Sequence, residues 1–503
     1  MSDSPPSDAP KPAQPEPPKR SRFRRYSRWL LKWSARAFVV LLVFALIGRA
    51  GCRYAGQRAL RAEEARLDAH DPGWRAEELI AARNSAAPPE GKNSALVVRK
   101  VNDALPEGWN LIAREEKRRV GSPNALNRNQ HASDLLGDDA DGFEGMRATR
   151  ELALTLCDLP TGHTPLPANA SGISSFPQHD FARRVYNLLQ VESLHAAQGG
   201  DPKRALRAAR AALNAGRSLG EMPLLITAVI RYAGAHIAAE SAIRSLALCD
   251  ATGSESELAA LQIALAREIE EPILLDGLRG ERALTHHTLG EIENLTPEPN
   301  RHGQFLRSGL RDRVEWFAMR TFVPEDRRRY LVCMDELIDA AKGPSSEMVQ
   351  RVTALEARLK AEFDIRYPTH RVMSPAALRV AQYDLRHRAD CGSAAVLLAC
   401  ERFRLKSGRF PNALAELPKE LLASVPTDPY TGAPLKFART PDGIAVYAVP
   451  PKGALPSLRE GEVRLTAPLG GDEFGWRLFD VKHRGLPPLP KPKPEPVPAP
   501  DLP

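Results

Sequence analysis

The stretch GGDPKRALRAARAALNAG, residues 199–216, carries the marks of a helix that opens after a tight turn. Asp201 stands where a short carboxylate accepts from the first free backbone N–H groups, and Pro202 takes the first helical position, where a missing N–H costs nothing. Ala205, Leu206, Ala209, Ala212 and Leu213 then recur at helical spacing, so one face is apolar. The same period runs through Phe181 to Ala197, and the two segments together predict a helical hairpin. Outward from it the helical pattern continues over Pro202 to Leu219, Pro223 to Leu248, Glu255 to Glu270 and Pro272 to Leu289. The expected fold is mainly α.

The hairpin resembles a tetratricopeptide unit, but no further copy with the same turn follows about 34 residues on. Residues 54–374 are therefore expected to form an irregular helical-repeat-like body containing one TPR-like hairpin. Its most apolar segment is MPLLITAVIRYAGAHIAAESAIRSLAL, residues 222–248. Arg231, His236, Glu240 and Arg244 fall within it, each expensive in lipid, so a buried core helix is expected rather than a membrane span. Burial requires that those four side chains be paired.

A membrane span is expected elsewhere. Residues 1–28 form a Pro-rich, then basic, tail, and 29–48 supply about 20 residues, enough for ~30 Å of hydrocarbon. Trp29 and Trp33 suit the interface, while Lys32 and Arg36 sit where their stems can snorkel. Eight basic residues and no acidic one between Lys19 and Arg36 place that side in the cytoplasm. Arg49 and Arg53 crowd the place where a signal peptide would be cleaved, so the reading is an uncleaved, single-pass signal anchor of the inner membrane with the main body periplasmic.

The charge balance agrees. The net charge is +8, and residues 1–53 hold eleven Lys/Arg against three acidic residues, leaving 59 of each sign in the other 450. A nucleic-acid partner is therefore not expected, because such a partner needs a sustained basic surface. The six cysteines show no CxxC and no metal-like spacing, which predicts isolated thiols.

Chemistry is sparse. In RGERALTHHTLGEIE, residues 279–293, His287 and Glu291 stand four apart on one helix face with His286 nearby, the one weak candidate set for a metal. The two-His-plus-Glu spacing of zinc hydrolases is missing, and no nucleophile elbow, P-loop or dinucleotide fingerprint occurs in context. No catalytic residue and no cofactor is assigned. Arg279, Glu281 and Arg282 suggest an ion-pair network, and Asp276 and Glu315 carry no signal.

The end of the chain differs. A helix expected over 375–407 meets Gly408 and Pro411, which stop it; Asn412 caps a short helix over 413–422, and turn residues surround Asp428. LKFAR (435–439) and IAVYAV (444–449) flank Thr440-Pro441-Asp442-Gly443 as a β-hairpin, with EVRLT (462–466) and GWRLFDV (475–481) as further strands. Residues 375–484 are thus expected to be a long helix plus a small C-terminal α+β module, followed by nine prolines in the nineteen residues of 485–503.

ACERFRLKSGRFPNALAEL, VPTDPYTGAPLKF and GIAVYAV together resemble the C-terminal half of type II secretion major pseudopilins, where a long helix turns through a Pro-rich corner into a small sheet. The processed Gly-Phe-x-x-x-Glu start of pseudopilins and their Asp-rich calcium-binding end are absent, so a filament subunit is not implied. With DPGWRAEELIAAR, NSALVV, the 200–226 region and LRGERA, nearly the whole chain resembles a group of uncharacterised, membrane-anchored helical bacterial proteins, a likeness that implies architecture and no activity. The functional expectation is an envelope scaffold that binds another envelope protein; a membrane-anchored hydrolase with a non-motif active site and a secretion or pilus accessory factor are the alternatives.

Overall fold

A computed structural model describes residues 22–106, 140–167, 176–294, 320–362, 369–450 and 474–485, with single residues 109, 132, 170 and 367 between them. The N-terminal tail before residue 22, the strand expected over 462–466 and the proline tail beyond 485 lie outside the described residues.

Helix α1 runs unbroken from Arg22–His70, so the helix holding the apolar stretch continues well into the body. Neither Gly48 nor Gly51 interrupts it, because residues 52–70 are strong helix formers and Leu60 and Leu67 return one face to the protein. Among the described residues the next helices are α2 (Ala76–Ser85), α3 (Ser94–Ala104) and α4 (Ala140–Gly145). Next come α5 (Arg147–Leu154), then α6 (Gln178–Gln198) and α7 (Pro202–Arg217), the hairpin read from the sequence. Asp201 caps α7 by accepting from the Arg204 backbone N–H at 2.9 Å.

Helix α8 (Leu225–Leu248) packs on both members of the hairpin. It is buried along its length, a core helix and not a span. Alanines set the spacing: Ala208, Ala209, Ala211, Ala212 and Ala215 on α7 and Ala235, Ala238, Ala239 and Ala242 on α8 are buried. At the crossing Gly216 faces Gly234, and a Cβ on Gly234 would come to 3.2 Å from the Gly216 Cα, so both positions need to be small.

The remaining helices among the described residues are α9 (Glu255–Glu270), α10 (Ile273–Asn294), α11 (Val323–Lys342), α12 (Ser345–Ala361) and α13 (Thr369–Ser407). Helix α13 begins ahead of Pro375 and packs against α8, α9, α11 and α12. Gly408 ends it with φ +76°, the left-handed conformation that glycine adopts without penalty.

Beyond that corner the short helix expected over 413–422 does not form. One 3-10 turn, Leu414–Glu416, stands there, because Pro418 interrupts the segment and the Asn412 amide donates to the Glu416 carboxylate instead of capping. Strands β1 (Lys436–Thr440), β2 (Gly443–Ala448) and β3 (Phe474–Phe479) make an antiparallel sheet in that order, with Pro441 and Asp442 as the two-residue β1–β2 loop. Asp428 is buried in the turn before it, accepting from the Tyr430 and Val449 N–H groups at 2.8 and 2.9 Å, so turn geometry accounts for it.

The sheet is not a separate appendage. Phe474, Trp476 and Leu478 belong to the same apolar core as α6, α7, α8 and α13. The Trp476 indole N–H donates to the Asp390 carbonyl of α13 at 2.9 Å, and the buried Arg484 grips Glu401 through two bonds of 2.7 and 2.8 Å. The substitution Trp476→Ala is expected to lower unfolding stability by roughly 3–5 kcal/mol, the range for a fully buried large aromatic. Chemical denaturation of the detergent-solubilised protein measures this, and a loss below about 1 kcal/mol would show the sheet to be dispensable.

Candidate functional site

A dense polar constellation lies where α1 enters the body. Arg282, His286 and Glu293 recur four and seven apart on α10 and therefore share one face. Arg282 is fully buried. Its Nη2 donates to the Asp71 carboxylate just past α1, and its Nη1 reaches Asp335 of α11 at 3.3 Å. Arg66 of α1 bonds the other Asp335 oxygen at 2.6 Å, and the Trp74 ring lies 5.6 Å from the Arg282 guanidinium carbon. Nearer the apolar stretch, Arg53 pairs with Glu293 at 3.2 Å, and the Arg49 Nε donates to the Thr321 hydroxyl at 2.9 Å. Burial would raise the Asp71 pKa, yet the hydrogen bond and charge of Arg282 outweigh it and hold the group below the usual carboxylate range.

The suggested metal set does not converge. His286 Nε2 stands 3.1 Å from the Glu64 carboxylate and 2.9 Å from Arg327 Nη2, against the Trp74 ring. A metal at that nitrogen would have to displace a guanidinium. His287 turns to Glu77 at 3.5 Å and to Glu291 at 3.9 Å. Among the described residues no group of three or more His, Cys, Asp or Glu is placed to hold a metal. The expected network is half right: Arg279 and Arg282 both reach Asp71, whereas Glu281 accepts from the Leu225 backbone N–H and the Thr285 hydroxyl, and burial raises its pKa.

Each charged side chain of α8 finds a partner. Arg231 pairs with Glu268 of α9 at 3.2 Å, a carboxylate shared with Arg217 at 2.5 Å. Arg244 pairs with Glu240 at 2.5 Å. His236 donates from Nδ1 to the buried Asp390 of α13 at 2.7 Å, with its Nε2 3.9 Å from Glu240 and its ring 5.4 Å from Trp476.

Two cavities adjoin this framework. The larger, about 650 Å³ between α6 and α8, is walled by Phe176, Ile226, Ile230 and Ile237 with Asn187, Gln190, His236 and Glu240. An imidazole pinned at Nδ1 by a buried carboxylate presents Nε2 as a proton acceptor, an arrangement able to act as a general base. The smaller, about 200 Å³, lies among Arg83, His163, Arg217, Arg231 and Arg267, with Glu221 and Glu271. Burial lowers the Arg83 pKa to about 10, and close by, burial and Glu221 push the Asp276 carboxyl up to about 6.

Sequence reasoning singled out His236 as a group that needs a partner, but Asp390 lies 154 residues away and nothing local points to it. Arg83 and Asp276 likewise look ordinary until their burial is seen. Comparison with protein-family models, with curated proteins and with solved structures found no match.

Two outcomes follow. Arg282→Met leaves Asp335 to Arg66 alone and Asp71 to the more distant Arg279, so stability is expected to fall by about 1–3 kcal/mol in denaturant titrations; no measurable change would show the clamp to be ornamental. The second concerns His387, buried against Tyr232 at 4.7 Å, whose pKa is lowered by burial despite nearby Glu268 and Asp384. A folded-state pKa below the unfolded ~6.5 means that stability is present above pH ~6.5 and is lost as pH falls below it, by up to ~1.4 kcal/mol per pH unit. Unfolding at pH 7.5 and pH 5.5 is expected to show a larger drop in the wild type than in His387→Gln, and equal drops would contradict the assignment.

Proposed function

We propose that this chain is a single-pass, membrane-anchored envelope protein whose body stands outside the cytoplasm and acts as a protein-interaction scaffold. The observation that carries the reading is the continuity of α1. Trp29 to Ile47 present apolar side chains with no protein packed on them, including Leu31, Phe44 and Ile47, at 63% exposure or more. The same helix is bonded into the body from Arg49 onward. A tether would end in a flexible linker; here the spanning helix is itself a structural element, which fixes the height and orientation of the body. Fixed placement suits presentation of a surface to a membrane neighbour. The basic residues on the N-terminal side of the stretch support a cytoplasmic N-terminus in an inner membrane.

The likeness to membrane-anchored bacterial proteins, and of the 399–449 region to pseudopilins, supports an envelope protein as partner, with a secretion or pilus assembly as the class that the C-terminal likeness implies. A second reading, a membrane-anchored hydrolase, draws on the Asp390–His236 pair beside the larger cavity, where Nε2 is placed to deprotonate a water.

Labelling tests the placement. In a Cys52→Ser background, Ser256→Cys at an exposed site of α9 is expected to react with a membrane-impermeant maleimide in intact spheroplasts; reaction only after lysis would put the body in the cytoplasm. Crosslinking in native membranes then separates the readings. The scaffold predicts a stoichiometric envelope partner retained by His236→Gln, whereas a protein recovered alone, with a hydrolytic activity lost in His236→Gln, would favour the enzyme.

A further inference from the structure

Helices α6 and α8 are bonded to each other at two levels. His179 Nε2 lies 2.8 Å from the Thr227 hydroxyl near their starts, and Gln190 Nε2 donates to the Glu240 carboxylate at 3.4 Å farther along. Between those bonds the helices part and leave the cavity of about 650 Å³. Its two sides differ in chemistry. From Ile226 through Val229 and Ile230 to Ala233 the α8 side is aliphatic, while the α6 side brings Asn187 and Gln190 to the space.

Asn187 decides what the cavity can hold. It is only 5% exposed, yet its carboxamide makes no hydrogen bond to any group among the described residues. Gln190 is 7% exposed and engages only its Nε2, which leaves Oε1 open. Neither group is among the unbonded polar atoms sealed off from all space, so both face the cavity that they line. Buried amides are almost always bonded, and a carboxamide carries side by side the donor and the acceptor that complement a peptide group.

Charge gives the second constraint. Each carboxylate on or behind the lining already has a cationic partner: Asp180 pairs with Arg183 at 3.4 Å, Glu240 with Arg244 at 2.5 Å, and Asp390 behind His236 with Arg386 at 3.8 Å. An uncharged ligand therefore fits. The α8 wall from Ile226 to Glu240 runs ~21 Å at ~1.5 Å per residue, which holds about six residues of extended chain at ~3.3 Å each. At its mouth Ile226 is 51% exposed, an apolar side chain for the ligand to cover. Two amides one helical turn apart along such a groove suit a repeating backbone better than a compact molecule. We propose that the groove between α6 and α8 binds an uncharged, apolar stretch of polypeptide in extended form, its backbone amides on Asn187 and Gln190 and its aliphatic side chains on the wall from Ile226 to Ala233. The site rests on the scaffold reading and names the surface that holds the partner.

The test is calorimetric titration of capped, uncharged octapeptides, in which leucine or valine alternates with serine, into the full-length protein in phosphatidylcholine nanodiscs. Saturable binding is expected, weakened about five- to tenfold in Asn187→Ala, as for one or two lost hydrogen bonds. The unfolding midpoint of that variant is expected to stay level or rise, because no internal bond is removed and alanine is the better helix former. A marked loss of stability would make Asn187 a structural residue and overturn the assignment. Ala233→Trp fills the groove from a half-buried position on the opposite wall and is expected to abolish binding with the fold intact. Absence of saturable binding, equal binding by the variants and the wild type, or preference for peptides with lysine or aspartate in place of serine would overturn the site. Binding of N-acetyl-leucine amide as tight as that of the octapeptides would assign a small amide and overturn the polypeptide. The scaffold reading fails by a different result, the absence of any envelope partner on crosslinking in native membranes. A partner captured equally by Ala233→Trp would keep that reading and overturn the groove.

Discussion

A guanidinium withdrawn completely from water must have its charge met within the protein, and Arg282 is such a group. Its two partners come from different parts of the chain, Asp71 at the end of α1 and Asp335 on α11, so satisfying one side chain fixes three elements together. Arg66 completes Asp335 from α1 itself. Because α1 is also the apolar helix, the position of the body relative to the apolar stretch follows from this pairing. Removing the Arg282 cation alone would leave Asp335 to Arg66 and Asp71 to Arg279, each with one partner fewer in a partly buried place.

The interior combines two kinds of constraint. Between α7 and α8 the alanines and the Gly216–Gly234 approach allow close packing of backbones, with specificity set by shape. Between α8, α9 and α13 buried carboxylates are met by polar groups: Arg231, with Arg217 of α7, on Glu268, Tyr232 on Asp384, His236 on Asp390. Buried polar pairs add little net stability but penalise any packing that leaves one unmatched. The sheet depends on the same surface, since the Trp476 indole is anchored to the Asp390 carbonyl.

What the sequence shows here is local, and what it hides is pairing. Helix periods, the Asp201 cap, the Gly408 stop and the Pro441-Asp442 loop each depend on neighbours a few residues away, and all appear as expected. The helix expected over 413–422 does not form, because Pro418 breaks the segment that an Asn412 cap would have opened. His287 and Glu291 were recognisable as neighbours by their spacing, but the groups that decide their role, Glu77 for one and Glu64 and Arg327 for His286, come from α1, α2 and α11.

The ion pairs that bind α1 to α10 and α11 are expected to make the apolar helix and the body move as one rigid piece. Paired spin labels at Ser34→Cys in the apolar stretch and Ser256→Cys in α9, with Cys52→Ser, measure it by electron–electron distance in nanodiscs. A single narrow distance distribution is expected, broadening when Arg282→Met is added. A broad distribution in the protein with its clamp intact would contradict it, and would reduce α1 to a tether.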